Sequence, residues 1–237
     1  MFNLKEKFEF LEDGIDFPFY NDKPKLSSGE WAILAIAVVI FAVLANLPGI
    51  PKSLRVLIYL IVFLAPAIYI CKGDYGLFFK KLKLRDAKTI ILCFIGYIVY
   101  AMIIGFLLNS VHYALAENVS LTSTLDLMFV VNMILQLIGE EFYKIFLLLI
   151  VMYLVYKYTR NRSLSIYVGI IVTLVVFGLT HWVAYDGRIL QILLIQGFGS
   201  IFDLYAYMKT KNFFVSYILH LFIDFYGVIL PMMMHMG

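Results

Sequence analysis

Residues 127–156 read LMFVVNMILQLIGEEFYKIFLLLIVMYLVY. The run has no proline and no alternation of apolar with polar residues, so it reads as one long helix rather than strands. At 1.5 Å per residue it is about 45 Å long, more than the ~30 Å of hydrocarbon in a bilayer. It must therefore tilt, or its ends must leave the hydrocarbon. Asp126 stands where an N-cap would begin it. Within the run Asn132, Gln136, Glu140 and Lys144 recur every four residues. Each step of four advances about 40°, so the four form a slowly winding polar stripe that should face other helices or water. Glu141 is rotated about 100° from Glu140, within reach of a neighbouring helix or of Lys144.

Further apolar blocks lie on both sides of this run. Seven spans are expected in all: Ser28–Leu47, Leu54–Cys71, Thr89–Asn109, Leu127–Tyr156, Leu164–Ala184, Leu190–Met208 and Phe213–Met233, or eight if a short or re-entrant segment is counted. The fold class is all-α, a polytopic transmembrane helix bundle. Composition agrees, with 63% hydrophobic and 15% charged residues, an excess that one water-soluble core of this size does not hide. The missing alternation argues against an outer-membrane barrel. A net charge of +3 without a dense basic patch gives no sign of nucleic acid. Cys71 and Cys93 lie in or beside apolar blocks and read as small fillers. The segment 1–27, mixed-charge and aromatic, does not read as a cleavable signal peptide.

Loop cations set the expected orientation. Lys5, Lys7, Lys23 and Lys25, the group Lys72, Lys80, Lys81, Lys83, Arg85 and Lys88, then Lys157, Arg160, Arg162, Lys209 and Lys211 put 15 on one side; Lys52, Arg55 and Arg188 put 3 on the other. The expectation is a multi-pass protein of the cell membrane with residues 1–27 as a cytoplasmic N-terminal segment and the 110–126 loop outside. Residues 76–84, GLFFKKLKL, read either as an interfacial stretch on the inner surface or as an ordinary basic loop.

Ionisable residues within spans cost about 2.5–3.5 kcal/mol each on insertion scales and tend to mark function. They concentrate late in the chain: Glu140, Glu141 and Lys144, then His181, Asp203, His220 and Asp224. Residues 28–109 therefore read as scaffold helices and 127–233 as a catalytic-type core. His220 and Asp224 share a helix face, as do Phe177 and His181. Asn132, Gln136, Gln191 and Gln196 read as interhelical glue. Asp203 has the same reading, with a Lys as its partner; His112 and His235 lie outside the spans and read as incidental. No HExxH or inverted form marks a zinc site, although two His and a Glu from three helices leave that chemistry open. No GxSxG and no activated cysteine supports a covalent route. A metal-free glutamate hydrolase fits better: a carboxylate in low dielectric serves as general base for water, one imidazole assists, and a second stabilises the oxyanion.

At these residues the chain resembles the CPBP family, which holds CAAX prenyl endopeptidases and Abi-type bacteriocin immunity and processing proteins. The family pattern is EExxxR, FxxxH and HxxxN or HxxxD on separate membrane helices. Here the motifs read Glu140-Glu141-Phe142-Tyr143-Lys144-Ile145, Phe177-Gly178-Leu179-Thr180-His181 and His220-Leu221-Phe222-Ile223-Asp224, and the match covers roughly residues 127–226. Ile145 stands where the family has Arg, with the cation one residue earlier at Lys144, a shift of about 100°. EExxK also resembles the first motif of PrsW-type proteases, but FxxxH favours CPBP.

The resemblance implies an intramembrane endopeptidase of the glutamate type. Glu140 would activate water, His181 would partner it, and His220 with Asp224 would serve the oxyanion; Asp224 is assigned the role of orienting His220. The catalytic candidates are Glu140, Glu141, His181, His220 and Asp224, and Lys144 and Phe177 are supporting candidates. No cofactor and no metal is expected, and the partners are the lipid bilayer and a membrane-associated peptide or protein substrate. The competing readings are a zinc-dependent version, a non-catalytic scaffold or bacteriocin-immunity protein of the same fold, and an ion-coupled transporter, which the lack of repeated halves disfavours. A scaffold would fail when its cavity is filled, for example at Gly178. One geometric conflict stands: counted straight, His220 is about 7 residues from the inner end of its span and His181 about 17 from its own, a depth difference of about 15 Å. A later start to the fifth span, or different tilts, would close it.

Overall fold

A computed structural model describes residues 10–11, 14–116 and 125–229. The expectations for His235 and the end of the last span at Met233 fall outside them. Among the described residues the regular structure is entirely helical. We label the long helices α1 (Ser28–Asn46), α2 (Lys52–Ile70), α3 (Leu84–Ser110), α4 (Leu127–Thr159), α5 (Arg162–Leu179), α6 (Ile189–Thr210) and α7 (Phe213–Asp224). Helix α6 contains a π turn at Ile192–Gly197 and a 3-10 turn at Phe198–Ser200, and α7 runs on into a π turn at Phe225–Ile229.

Helices α1, α2, α3, α5 and α6 are each long and apolar enough to cross a membrane. Their outward positions are as apolar as their inward ones: α3 exposes Ile91, Ile95, Met102 and Phe106, and α2 exposes Leu57 and Ile61. Such surfaces suit lipid and not water. With α4 and α7 they make about seven spans, and the chain is a multi-pass membrane protein.

Helix α4 is the central post. Asp126 caps it, accepting from Phe129 N at 2.7 Å. From Phe142 to Leu149 every side chain is buried in protein, so its charges are hidden by neighbouring helices. Gly139 lies where a Cβ would come 2.8 Å from the Tyr59 side chain, which lets α2 close on α4. Gly178 and Gly197 do the same for α5 and α6. A Cβ on Gly178 would meet the Ile192 carbonyl at 2.8 Å and the Gly197 Cα at 3.0 Å. Gly178 is thus a backbone contact between helices and does not line the cavity, as the sequence suggested it would.

The last four helices form two antiparallel hairpins with turns built alike. Helix α4 ends on Arg160 in the left-handed region (φ 53°), and Asn161 then caps α5 by accepting from Leu164 N at 3.0 Å. Helix α6 ends on Lys211 (φ 50°), and Asn212 caps α7 by accepting from Phe214 N at 3.2 Å. The surroundings differ. Arg160 and Asn161 are exposed, whereas Lys211 and Asn212 are 1% exposed. The Phe78 carbonyl accepts from Phe213 N at 2.8 Å, and Lys80 exchanges two backbone hydrogen bonds with the Asn212 amide at 3.2 and 3.1 Å. The Lys211 ammonium donates to the carbonyls of Phe10 and Met208 and lies 4.0 Å from the Phe17 ring centroid. Residues 76–84 are therefore neither a free basic loop nor a simple surface stretch. Phe78 is fully buried against Phe142 and Phe146, and Phe79 packs on Phe213, while Leu82 and Leu84 stay exposed.

The recessed turn resolves the depth conflict. Glu140 stands as far before Thr159, the end of α4, as His181 stands past Arg162, the start of α5, so the first hairpin sets them level. The second hairpin has shorter arms. Asp203 stands as far before Thr210, the end of α6, as His220 stands past Phe213, the start of α7. Glu141 contacts His220 (below), so on parallel axes the second turn sits about 16 Å deeper than the first. The fifth span does not begin later; it starts at Arg162 and ends at Leu179, leaving His181 in the following turn.

Candidate active site

The two hairpins converge on a cavity of about 750 Å³ whose lining includes Glu140, Phe177, His181, Asp203, His220 and Asp224. Helices α1–α3 also contribute walls, through Ala45, Lys52, Arg55, Tyr97 and Ala101; they are more than scaffold.

His220 is the hub. Its Nδ1 lies 2.8 Å from Glu141 Oε1, and on the other side of the ring its Nε2 lies 3.9 Å from Glu140 Oε2 and 3.7 Å from Asp224 Oδ1. A carboxylate oxygen only accepts, so Nδ1 carries the hydrogen toward Glu141. The group that fixes the ring is thus Glu141. Asp224, given that role from sequence, stands beside the opposite nitrogen, on the cavity side.

Behind the ring, the Lys144 ammonium is buried and bonded to both Glu141 and Asp203, and lies 3.4 Å from His220 Nδ1. It also sits 4.9 Å from the Phe177 ring centroid. The sequence put Lys144 on the stripe with Glu140 and also within reach of Glu141; the structure turns it to Glu141 and to Asp203, the acid for which a Lys partner was expected. Asp203 belongs to this network, beyond the glue role read for it, and also accepts from Leu204 N at 2.6 Å. A buried acid at the matching depth of the neighbouring hairpin arm was the signal available in the sequence.

Glu140 faces the cavity and accepts from Gln136 Nε2 at 2.6 Å, so Gln136 also belongs to the site. Of the other amides, Asn132 makes the interhelical bond expected of it, whereas Gln191 and Gln196 bond to the segments that follow α3 and α5. Asn132 donates to Ser53 Oγ at 3.2 Å, Gln191 pairs with the Ala116 backbone at 2.8 and 2.9 Å, and Gln196 donates to Tyr185 Oη at 2.8 Å. His181 Nδ1 lies 3.1 Å from the Phe177 carbonyl, with Thr180 Oγ1 at 3.3 Å. Since a carbonyl only accepts, Nδ1 is the protonated nitrogen and Nε2 keeps its lone pair. The FxxxH spacing therefore has a physical use: Phe177 supplies the carbonyl that orients the histidine four residues on.

Against known proteins, the type II CAAX prenyl endopeptidase Rce1-like family matches residues 102–226. The chain belongs to this family. No curated protein and no solved structure matches it. The matched span runs from the end of α3 through α7 and contains Gln136, Glu140, Glu141, Lys144, Phe177, His181, Asp203, His220 and Asp224. In this Rce1-like chain Ile145, where the EExxxR pattern of the resemblance has Arg, is buried in the apolar core, while Lys144 supplies the cation from the adjacent face of α4.

Glu141, Asp203 and His220 place ligand-type atoms within 4.8 Å of one another. The Lys144 ammonium already fills that cluster, bonded to both acids. A divalent ion there would face a fixed cation at contact distance, so the donor set does not fit a metal while Lys144 is charged.

Proposed function

We propose that this Rce1-like chain is an intramembrane endopeptidase in which Glu140 activates a water molecule that hydrolyses a peptide bond of a membrane-associated substrate. The observation that carries this reading is the division of labour between adjacent glutamates. Glu141 is consumed by Lys144 and His220 Nδ1, whereas Glu140 is anchored through one oxygen to Gln136 and faces His220 Nε2 across 3.9 Å of cavity. At that separation the two do not bond each other, and one water or substrate oxygen in the cavity can contact both.

In this scheme Glu140 removes a proton from water as the oxygen attacks the substrate carbonyl carbon. The carbonyl oxygen gains the negative charge of the tetrahedral intermediate. His220, protonated on both nitrogens, donates from Nε2 to that oxyanion while Nδ1–H stays on Glu141. His181 Nε2, free to accept, orients the water. The C–N bond then breaks, and the leaving amine takes the proton held by Glu140. Asp224 beside Nε2 keeps the ring's charge favourable, and Lys144 offsets the acids behind it.

The test is cleavage of a peptide library by purified protein. Glu140→Gln keeps shape and hydrogen bonding but removes the base, and should lower turnover by roughly 10²–10⁴-fold with expression and detergent stability near those of the unmodified chain. Chelators should leave activity intact. Cleavage undiminished by Glu140→Gln would refute the mechanism.

A further inference from the structure

A second, smaller hollow lies at the basic end of the molecule and shares no lining residue with the cavity that holds Glu140 and His220. Its volume is about 40 Å³, room for about three water-sized groups. Six of its lining residues are cations, Lys80, Lys81, Lys83, Arg85, Lys209 and Lys211, and one, Asp86, is an acid. Three stretches of chain build it: Ile15 of the N-terminal segment, residues 80–86 at the start of α3, and residues 209–212 in the recessed turn between α6 and α7.

The walls are held by bonds of their own. The Asn212 amide bonds the Lys80 backbone in both directions, at 3.2 and 3.1 Å, which docks the 80–86 stretch on the turn. Lys80 Nζ donates to the Thr210 carbonyl at 3.3 Å, and the Lys211 ammonium donates to the carbonyls of Phe10 and Met208. The lining acid is occupied as well: Asp86 is 5% exposed and accepts from Lys83 N at 2.8 Å, at the start of α3. Lys209 donates to the neutral Thr89 hydroxyl at 3.2 Å. Among the described residues Lys81, Lys83 and Lys209 form no ion pair. Like charges gathered around one small hollow raise its potential, and an anion lowers it.

The position of the hollow selects the anion. Helix α3 has 27 residues and is about 40 Å long, against ~30 Å of hydrocarbon, so its ends reach the headgroup layer. The stretch before it, residues 79–83, is not helical, and Lys83 is extended at φ −117° and ψ 160°. Side chains alternate along extended backbone. Lys81 and Lys83 accordingly line the hollow, whereas Leu82 does not and is 52% exposed, followed by Leu84 at 91%. Cations beside exposed leucines at this level suit a molecule with an anionic head and apolar tails. We propose that the hollow binds the phosphate of an anionic glycerophospholipid, with Lys81, Lys83 and Lys209 on the phosphate oxygens and Leu82 and Leu84 against the acyl chains. A phosphate has several strong acceptor oxygens, and these lysines reach it from two separate segments of the chain. The site stands independently of the endopeptidase reading.

The experiment is native mass spectrometry of the full chain in a neutral detergent, after incubation with equimolar dioleoyl phosphatidylglycerol and dioleoyl phosphatidylcholine. The chain should retain the anionic lipid roughly tenfold in preference to the zwitterionic one, the scale of charge-assisted bonds and surface cations. Lys81→Ala with Lys83→Ala should cut that preference to about threefold or less. Lys81→Glu alone, at an exposed position, gives the same reading should the double variant fail to fold. Lys157→Ala with Arg160→Ala removes the same charge from the exposed α4–α5 turn and should leave the preference intact. Leu82→Ser with Leu84→Ser should weaken retention of phosphatidylglycerol. Glycerol phosphate, which has the phosphate and no acyl chains, should compete only in large excess. Competition by glycerol phosphate at a concentration equal to the lipid's overturns the lipid assignment in favour of a soluble phosphate. Equal retention of the two lipids overturns the site, as does a preference that survives loss of Lys81 and Lys83 or falls equally in the Lys157 and Arg160 variant.

Discussion

The α4–α5 and α6–α7 hairpins use the same turn, a basic residue in the left-handed region followed by an Asn that caps the next helix, yet one turn is exposed and the other is buried. Each hairpin levels a pair of its own: Glu140 with His181, and Asp203 with His220. Because the second turn is recessed, the two pairs meet at one depth. The cost of burying a second polar turn is offset by residues 78–80, which supply backbone partners, and by the aromatic side chains around them. Depth in this membrane bundle is therefore set by what covers a turn as well as by helix length.

The strongest way to break the link between the hairpins is to remove the ammonium that ties Glu141 to Asp203. Lys144→Ala leaves two buried acids without their cation, and should cost about 3–5 kcal/mol, seen as a lower unfolding midpoint in detergent. Combining it with Asp203→Asn should recover part of the loss, since one of the stranded charges is gone. An unchanged midpoint for Lys144→Ala would show that this ion network does not hold the hairpins together.

A smaller effect is expected at the recessed turn. Lys211→Met keeps an unbranched side chain of similar length but removes the hydrogen bonds to the Phe10 and Met208 carbonyls. It should cost about 1.5–3 kcal/mol, the range for hydrogen bonds to a charged group. The equivalent change at the exposed turn, Arg160→Met, should cost less than about 0.5 kcal/mol. Equal losses at the two turns would erase the distinction between them.

The architecture was legible in the sequence because apolar blocks of membrane length, punctuated by Pro48, Pro51 and basic loops, leave few alternatives. The candidate site was legible because ionisable groups are rare in such blocks, so Glu140, Glu141, His181, His220 and Asp224 stood out. Partner choice was not legible. Glu141 and Asp224 are both within reach of His220 on any count along the chain, and only the packing of α7 on α4 decides that Glu141 takes Nδ1. Asp203 was underweighted for the same reason: its partner Lys144 is 59 residues away. The recess of Lys211 was hidden because basic loops usually mark the surface, and the residues that bury it, Phe10, Phe17 and Phe78, lie in segments that look like tails and linkers.

The mildest expected effect is at the basic end, where Asp16 pairs with Arg162 at 2.7 Å and joins the N-terminal segment to α5. Burial raises the Asp16 carboxyl, but the hydrogen bonds from Arg162 and Tyr20 outweigh it and hold the group below its ordinary value. A depressed carboxyl contributes stability above its unfolded value, about pH 3.9, and loses it as pH falls through the folded value. Asp16→Asn should therefore cost up to about 1 kcal/mol near neutral pH, with the difference from the unmodified chain closing below about pH 4. A gap that persists in acid would assign the effect to packing.

In the proposed mechanism adjacent glutamates do different work, Glu140 on the reacting water and Glu141 on the scaffold of His220 and Lys144. The decisive measurement is kcat/KM together with the detergent unfolding midpoint for Glu140→Gln and Glu141→Gln. Glu140→Gln should lose roughly 10²–10⁴-fold in kcat/KM at an unchanged midpoint, while Glu141→Gln should lower the midpoint, with weaker activity loss in the fraction that stays folded. The reverse pattern, an inactive but fully stable Glu141→Gln beside an active Glu140→Gln, would contradict this division of labour.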